Sequence, residues 1–276
     1  MEKSFEEQLV DGLLNVHNEK EIEIMQKKIM DVITEIKSYT QQLNSGRYRN
    51  SGYGKLFVTH IKNFTVSIVF GEKNRNNGSG CLIRHKKDFL VTNAHVIRDA
   101  IKAPFVLIGK VEVTDLKKRI ISINDHLDLA VIDLSNGLNE ALEDSGKMFF
   151  ESKEWPPFTD CKKGDLVYLA GFPGVFREDS EIYSSVYFTA ILDQVIEVTD
   201  RRLLVQFNRE NWVKSLGMKD IEELKRLGGF SGGPVFKFRD DQPELVGFIF
   251  EEGGNFFDGV QIIKSNLILS NGEIVN

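Results

Sequence analysis

The spacing of apolar residues changes near residue 50. Before that point it is helical: Ile22, Ile29, Ile36 and Leu43 recur every seven residues, Met25, Val32 and Tyr39 form the companion seam, and Ile33 widens the stripe. A heptad of this kind lines one face of an α-helix. The segment lacks Pro and is rich in Glu, Lys, Gln, Leu and Ile, which suit a helical backbone. Upstream, Leu9, Val10, Leu13 and Leu14 make a shorter stripe, interrupted by Gly12, Asn15 and Asn18. Residues 1–50 are therefore expected to be a helical N-terminal arm. Two readings fit it: packing on its own chain, or a coiled coil for self-association or for docking a regulatory partner through helices 1–45. Asn44-Ser45-Gly46-Arg47-Tyr48-Arg49-Asn50-Ser51-Gly52 breaks the helix and reads as a linker.

Beyond residue 52 the pattern becomes short β runs separated by turn residues. The first batch falls at 64–70, 81–84, 89–92, 105–108, 119–123 and 129–134, with Asn74-Arg75-Asn76-Asn77-Gly78 as a turn cluster after the first run. The second falls at 166–170, 186–198, 203–207, 234–238, 245–250 and 260–263. Two batches of about six strands predict two all-β barrels or sandwiches, over residues 51–150 and 151–276. Residues 212–227, a mix of Lys, Glu, Leu and Ile, read as an inserted helix.

Composition narrows the class. The chain has 276 residues, 41 acidic against 35 basic side chains, a formal charge of −6 and two cysteines. Its size suffices to bury a core without a disulfide or metal staple, and two cysteines fit a reducing, cytoplasmic address. The early acids and the lack of an apolar leader argue against secretion, and no apolar run reaches the ~18 residues of a membrane span. The acidic balance lacks the basic footprint of a nucleic-acid binder. Neither metal-site spacing nor a phosphate or dinucleotide loop occurs, so no metal or organic cofactor is expected.

One glycine-rich segment carries chemistry. In Gly228-Gly229-Phe230-Ser231-Gly232-Gly233-Pro234, glycines around a serine allow a sharp bend that exposes the hydroxyl. Such a bend also aims successive N–H groups into one small volume, where they could hold a developing oxyanion. A plain hairpin turn with an incidental serine is the competing reading. A serine needs a base. Of His17, His60, His85, His95 and His126, His95 lies where the strand Leu90-Val91-Thr92 ends in the small residues Asn93 and Ala94. His126 is the second choice, while His60 and His85 have Lys neighbours and read as surface. A base needs an orienting carboxylate. Asp128 opens the apolar run Leu127-Asp128-Leu129-Ala130-Val131-Ile132, where a carboxylate is costly without a partner. Asp125 and Asp133 compete and read as solvated.

Thr92-Asn93-Ala94-His95, Asp128-Leu129-Ala130-Val131 and Gly229-Phe230-Ser231-Gly232-Gly233-Pro234, in that order, resemble the motifs of the chymotrypsin-like (trypsin-fold) serine peptidases, here of a bacterial intracellular type. Gly80-Cys81-Leu82-Ile83, Leu169-Ala170-Gly171-Phe172-Pro173-Gly174, Leu245-Val246-Gly247-Phe248-Ile249 and Gly259-Val260 extend the likeness over about residues 55–265. The resemblance implies an all-β core of two six-stranded antiparallel β-barrels, to which the arm adds an N-terminal α-helical extension. It implies a serine endopeptidase acting on protein or peptide substrates, with Ser231 as nucleophile, His95 as base, Asp128 as its orienter and the Gly229 and Ser231 amides as oxyanion hole. Substrate would lie along Phe250, Glu251 and Glu252, with Lys225 near the pocket base. Those acids favour a basic substrate side chain and Lys225 an acidic one, giving at most a polar or basic preference. Val96 stands where many secreted members have a cysteine, and Phe230 where zymogen-type members have an aspartate, so activation by N-terminal cleavage is not expected. The 212–227 insert, leading into the oxyanion turn, is either a control element coupled to the arm or a long loop. The alternative of another class is a catalytically silent peptide-binding or scaffold module of the same fold.

Overall fold

Alternating β-branched and aromatic residues form strands at nearly every position the pattern predicts. The computed structural model describes residues 52–72, 75–152, 154–157, 160–179, 184–207, 212–213, 228–239, 242–252 and 259–275, within a unit running from Tyr48 to Asn276. The arm and its heptad, Lys225 and most of the 212–227 insert lie outside the described residues. Chain order is α1 (Gly52–Phe64), β1 (Thr65–Phe70), β2 (Asn76–Arg84), β3 (Asp88–Thr92), α2 (Ala94–Ala100), β4 (Val106–Ile108), β5 (Val111–Glu112), β6 (Ile120–Asn124), β7 (Leu129–Asp133), α3 (Leu138–Asp144) and β8 (Phe150–Glu151). Then follow β9 (Leu166–Gly171), β10 (Glu178–Asp179), β11 (Ser184–Ser185), β12 (Thr189–Val198), β13 (Arg202–Gln206), β14 (Trp212–Val213), β15 (Pro234–Arg239), β16 (Gln242–Glu252) and β17 (Gly259–Lys264).

The two halves close differently. In the second, β12, β13, β17, β16, β15 and β9 pair in sequence and β9 pairs back to β12, a closed six-stranded barrel with β14 added along β12. In the first, the order β5-β4-β1-β2-β3-β7-β6, with β8 parallel to β2, makes an eight-stranded sheet whose two ends do not join. The expectation of two six-stranded barrels is corrected to one barrel and one sheet. The reason lies at the sheet's end, where β5 is two residues long and α3 packs against it. The inner face of the sheet is filled by Val96 and Ile97 of α2 and Leu138 and Leu142 of α3, together with Ile68, Leu82, Leu90 and Ile132 from the strands.

Alternation along the strands of the first sheet places Cys81, Ile83, Phe89, Val91, Leu129 and Val131 on the opposite face. There they form a shared core with Tyr168, Ala170, Phe236 and Phe248 of the second half. The barrel has its own interior, including Val167, Leu169, Ile191, Val205, Phe230, Val235 and Ile262.

Four further expectations change. The chain is helical from Gly52, where the pattern predicted the end of a linker and the start of strands. Phe57, Val58, Ile61 and Phe64 follow helical spacing and enter the shared core. The Phe57 ring lies 4.6 Å from both Tyr168 and Phe238. At the C-terminus of α1, Lys147 Nζ donates to the carbonyls of Lys62 (3.2 Å) and Thr65 (2.7 Å), supplying partners to carbonyls that a helix end leaves open. Burial there pushes the Lys147 amine down to about 8. Asn76, Asn77 and Gly78, expected in a turn, belong to β2. Trp212 and Val213, expected to begin an inserted helix, form strand β14. Asp128, expected to open its apolar strand, lies in the turn before it, and the strand itself starts at Leu129 as expected.

Candidate active site

His95 occupies the first turn of α2 rather than a strand end. The chain leaves β3 through Asn93, whose side chain reaches across to Asp128: Asn93 Nδ2 donates to the Asp128 carbonyl at 2.7 Å, and Ala94 N donates to it at 3.1 Å. These bonds hold Asp128 at φ +49°, a left-handed conformation that Asp tolerates better than most side chains. The carboxylate then faces back on His95. Oδ1 accepts the His95 backbone N–H at 2.8 Å and Oδ2 lies 2.6 Å from the ring Nδ1. One carboxylate thus caps an open amide of the helix and fixes the imidazole ring.

An ionised carboxylate only accepts, so the neutral ring carries its proton on Nδ1 and presents Nε2 as a free base. The hydrogen bond to Asp128 raises the His95 pKa above its ordinary value; burial opposes the rise, and the charges of Asp128 and Asp99 add to it. The Asp128 side chain is 16% exposed and that of His95 53%. The competitors fall elsewhere. His126 is exposed in the turn before Asp128, Asp125 pairs with Arg98 at 2.5 Å, and Asp133 Oδ1 accepts the Ser135 N–H. His85 stacks on Trp155, with ring centroids 5.2 Å apart.

Ser231 lies in a turn between residue 228 and β15. The turn is built almost wholly by main chain. The Gly228 carbonyl accepts from Gly174 N at 2.6 Å, and the Phe230 carbonyl accepts from Gly233 N at 2.8 Å. Gly232 N donates to the Ile249 carbonyl at 2.9 Å, and Ile249 N donates to that of Gly233 at 2.8 Å. In a trans peptide the carbonyl and the next N–H point opposite ways. Drawing the Gly228 and Phe230 carbonyls inward therefore turns the Gly229 and Ser231 amides outward, and neither meets an acceptor among the described residues. Gly229 and Gly232 have φ of +92° and +82°, values a side chain resists. A Cβ on Gly232 would also run into Thr92 Oγ1 and the Ser79 carbonyl. Phe230 is buried in the barrel interior.

A cleft of about 660 Å³ opens beside these groups, lined by His95, Val96, Gly228, Gly229, Val175 and Arg177 among others. On the other side runs β16. Its pairing with β15 ends at Phe248 opposite Pro234, while its pairing with β17 continues through Glu251 and Glu252. Residues 250–252 thus have one edge beyond the end of β15 that no strand covers among the described residues. Phe250 is half-buried, with the Arg202 guanidinium 4.8 Å above its ring. Lys225 lies outside the described residues.

Two β2 residues that the sequence reading passed over meet the serine turn. Asn77 lies against Gly229, where an added Cβ would come within 2.6 Å of its Nδ2, and it bonds the adjoining segment: Nδ2 donates to the Phe172 carbonyl at 2.7 Å, and Oδ1 accepts from Arg177 at 3.0 Å. Ser79 touches the turn at two carbonyls. The Gly78-Ser79-Gly80 triplet was the available signal, since small residues flanking one polar side chain allow close approach of another backbone.

The sequence model of the trypsin-like peptidase domain family matches residues 78–247. No curated protein matches the chain. Among solved structures, the chain is similar to Rv3671c from M. tuberculosis H37Rv, a serine-to-alanine mutant in its inactive form, at 16% identity over 78% of this chain and 88% of that one, with a TM-score of 0.46. It is similar to the HtrA-type protease AlgW with a tripeptide at 14% identity, covering 78% of this chain and 60% of that one, with a TM-score of 0.46.

Proposed function

The chain belongs to the trypsin-like peptidase family, and on that premise we propose that it is a serine endopeptidase that cleaves protein substrates through an acyl-enzyme. The observation that carries the reading is the two-point hold of Asp128 on His95, at ring Nδ1 and backbone N–H. It leaves Nε2 as a base and stabilises the imidazolium formed in each half-reaction.

In the proposed reaction, Ser231 Oγ attacks the scissile carbonyl carbon while His95 Nε2 takes its proton. The carbonyl oxygen becomes an oxyanion, accepted by the outward amides of Gly229 and Ser231. Collapse breaks the C–N bond, and His95 returns the proton to the departing amine. Water then attacks the ester with His95 again as base, releasing the acid and restoring Ser231. The substrate would add as a strand to the open edge of residues 250–252, with the departing segment in the cleft beside Val175. Glu251 and Glu252 on that edge support a polar or basic preference.

Control is proposed through the arm and the 212–227 insert. α1 follows the arm in sequence and packs against β14, where the insert begins, and the insert leads into the turn at Gly228. A self-association or a regulatory partner acting on the arm would use this route. Cys81 and Cys161 are both free thiols, which suits a cytoplasmic address. Burial raises both, that of Cys161 to about 11.

A fluorophosphonate probe tests the reading. It should label the wild type covalently and fail on Ser231→Ala. No labelling of wild type under any condition would favour the silent peptide-binding module.

A further inference from the structure

We propose that the Ser79 hydroxyl is a positioning group that latches the serine turn in its amide-outward conformation, an inference that rests on the proteolytic reading above. Ser79 lies in β2, in the first half of the molecule, and is fully buried. Nevertheless its polar atoms are engaged, and three of its four hydrogen bonds cross to the second half. Its N–H donates to the Ser231 carbonyl at 2.9 Å. Its hydroxyl donates to the Gly229 carbonyl at 2.6 Å and accepts the Phe172 N–H at 2.9 Å. Its own carbonyl accepts from Thr92 Oγ1 at 2.6 Å, three residues before His95.

The pattern interleaves with the bonds of the turn itself. Gly174 and Gly233 hold the carbonyls of Gly228 and Phe230; Ser79 holds those of Gly229 and Ser231. Four consecutive peptide planes are thereby oriented, and the amides of Gly229 and Ser231 are the ones left facing outward. The Gly229–Phe230 plane is the joint most in need of a latch. Gly229 follows another glycine and has the widest conformational freedom, and no other donor reaches its carbonyl among the described residues. One hydroxyl satisfies that carbonyl and the Phe172 amide together because it both donates and accepts, which neither Ala nor Gly at this position could do. Gly171 leaves the hydroxyl room, since a Cβ there would come within 2.9 Å of it. The latch ties oxyanion donors in the barrel to the β2–β3 strand pair, which leads directly into the helix that carries His95, so both halves of the site keep one register.

The test compares wild type, Ser79→Ala and Ser67→Ala. Ser67 is the buried register partner of Ser79 on β1, and its substitution controls for the mere loss of a buried hydroxyl. In Ser79→Ala, kcat should fall about 10- to 100-fold with KM within about twofold, somewhat less than removal of a whole oxyanion donor costs. Inhibition by a peptide aldehyde, which forms a tetrahedral adduct with its oxygen in the same site, should weaken by the same factor. Ser67→Ala should match wild type in both. A Ser79→Ala enzyme with unchanged kcat, or with lost kcat but undiminished aldehyde inhibition, overturns the latch while leaving the peptidase standing. If wild type takes no fluorophosphonate, the peptidase reading fails and the latch is judged by amide exchange. About tenfold faster exchange at Phe172, Gly174 and Gly233 in Ser79→Ala, and not in Ser67→Ala, supports it; equal exchange overturns it.

Discussion

In the open sheet, the site is set by side chains: Asn93 holds the Asp128 carbonyl, and the Asp128 carboxylate holds both the ring and the backbone of His95. In the closed barrel, it is set almost wholly by main chain, the Ser79 hydroxyl being the side-chain exception. The Ser231 turn is drawn into shape by the amides of Gly174 and Gly233 and the Ile249 strand, with glycine at each position where a Cβ would collide. The division follows from what each half must present. A base needs a particular ring, tautomer and charged neighbour, which only side chains supply. An oxyanion hole needs two N–H vectors converging on one point, which backbone provides at lower entropy cost than mobile side chains. Substitutions should therefore separate: in the first half they change chemistry and spare the fold, and in the second they change both.

The largest effect tests the chemical side. His95→Ala should lower kcat by about 10⁶-fold and Asp128→Asn by about 10⁴-fold, both in steady-state kinetics, with thermal midpoints within a few degrees of wild type. Asn is the apt replacement because it still tolerates the left-handed backbone at this position; a large loss of stability in Asp128→Asn would blur the distinction between the halves. The steric side is tested by Gly232→Ala. With φ at +82° and contacts against Thr92 and the Ser79 carbonyl, it should cost on the order of 3 kcal/mol in a urea titration as well as most activity. Phe57→Ala tests the joint between the halves. Removing a ring packed on Tyr168 and Phe238 should cost about 3 kcal/mol without altering the Asp128–His95 contact. If Gly232→Ala kept full stability, the main-chain account of the barrel half would fail.

The same division decided what could be read in the sequence. Strands announced themselves through alternation, and all twelve expected runs are strands within a few residues. His95 and Asp128 stood out because a polar residue beside an apolar run demands a reason, and the structure brings that pair together. The failure to close the first barrel was not legible, because two-residue β5 and its cover by α3 depend on packing between distant segments. Helix α1 was missed because 13 residues with four inward apolar positions look much like a strand and its flank. Ser79 was missed for a deeper reason. Its partners lie 93 and 150 residues away, and a serine between glycines signals close approach of another backbone without saying which one.

The smallest effect concerns how tightly the side-chain half holds its base. Because the bond to Asp128 raises the His95 pKa, the rising limb of activity should lie above the ~6.5 of a free histidine, not at it. Stability runs the opposite way. A raised folded-state pKa means that the native protein binds the proton more tightly, so the contribution is complete below the unfolded pKa and disappears as pH rises through the folded one. Activity therefore appears across the same window in which this stabilisation is lost. The stability change should be small, since the His95 side chain is 53% exposed and solvent screens the pair. NMR titration of the His95 ring in full-length protein separates the causes. Asp128→Asn should lower its midpoint most, because it removes the hydrogen bond that contributes most to the rise and a charge together. Asp99→Asn, one helical turn along α2 and acting only through its charge, should lower it less. Equal shifts from the two variants would mean that general negative potential, rather than the two-point hold of Asp128, sets the base.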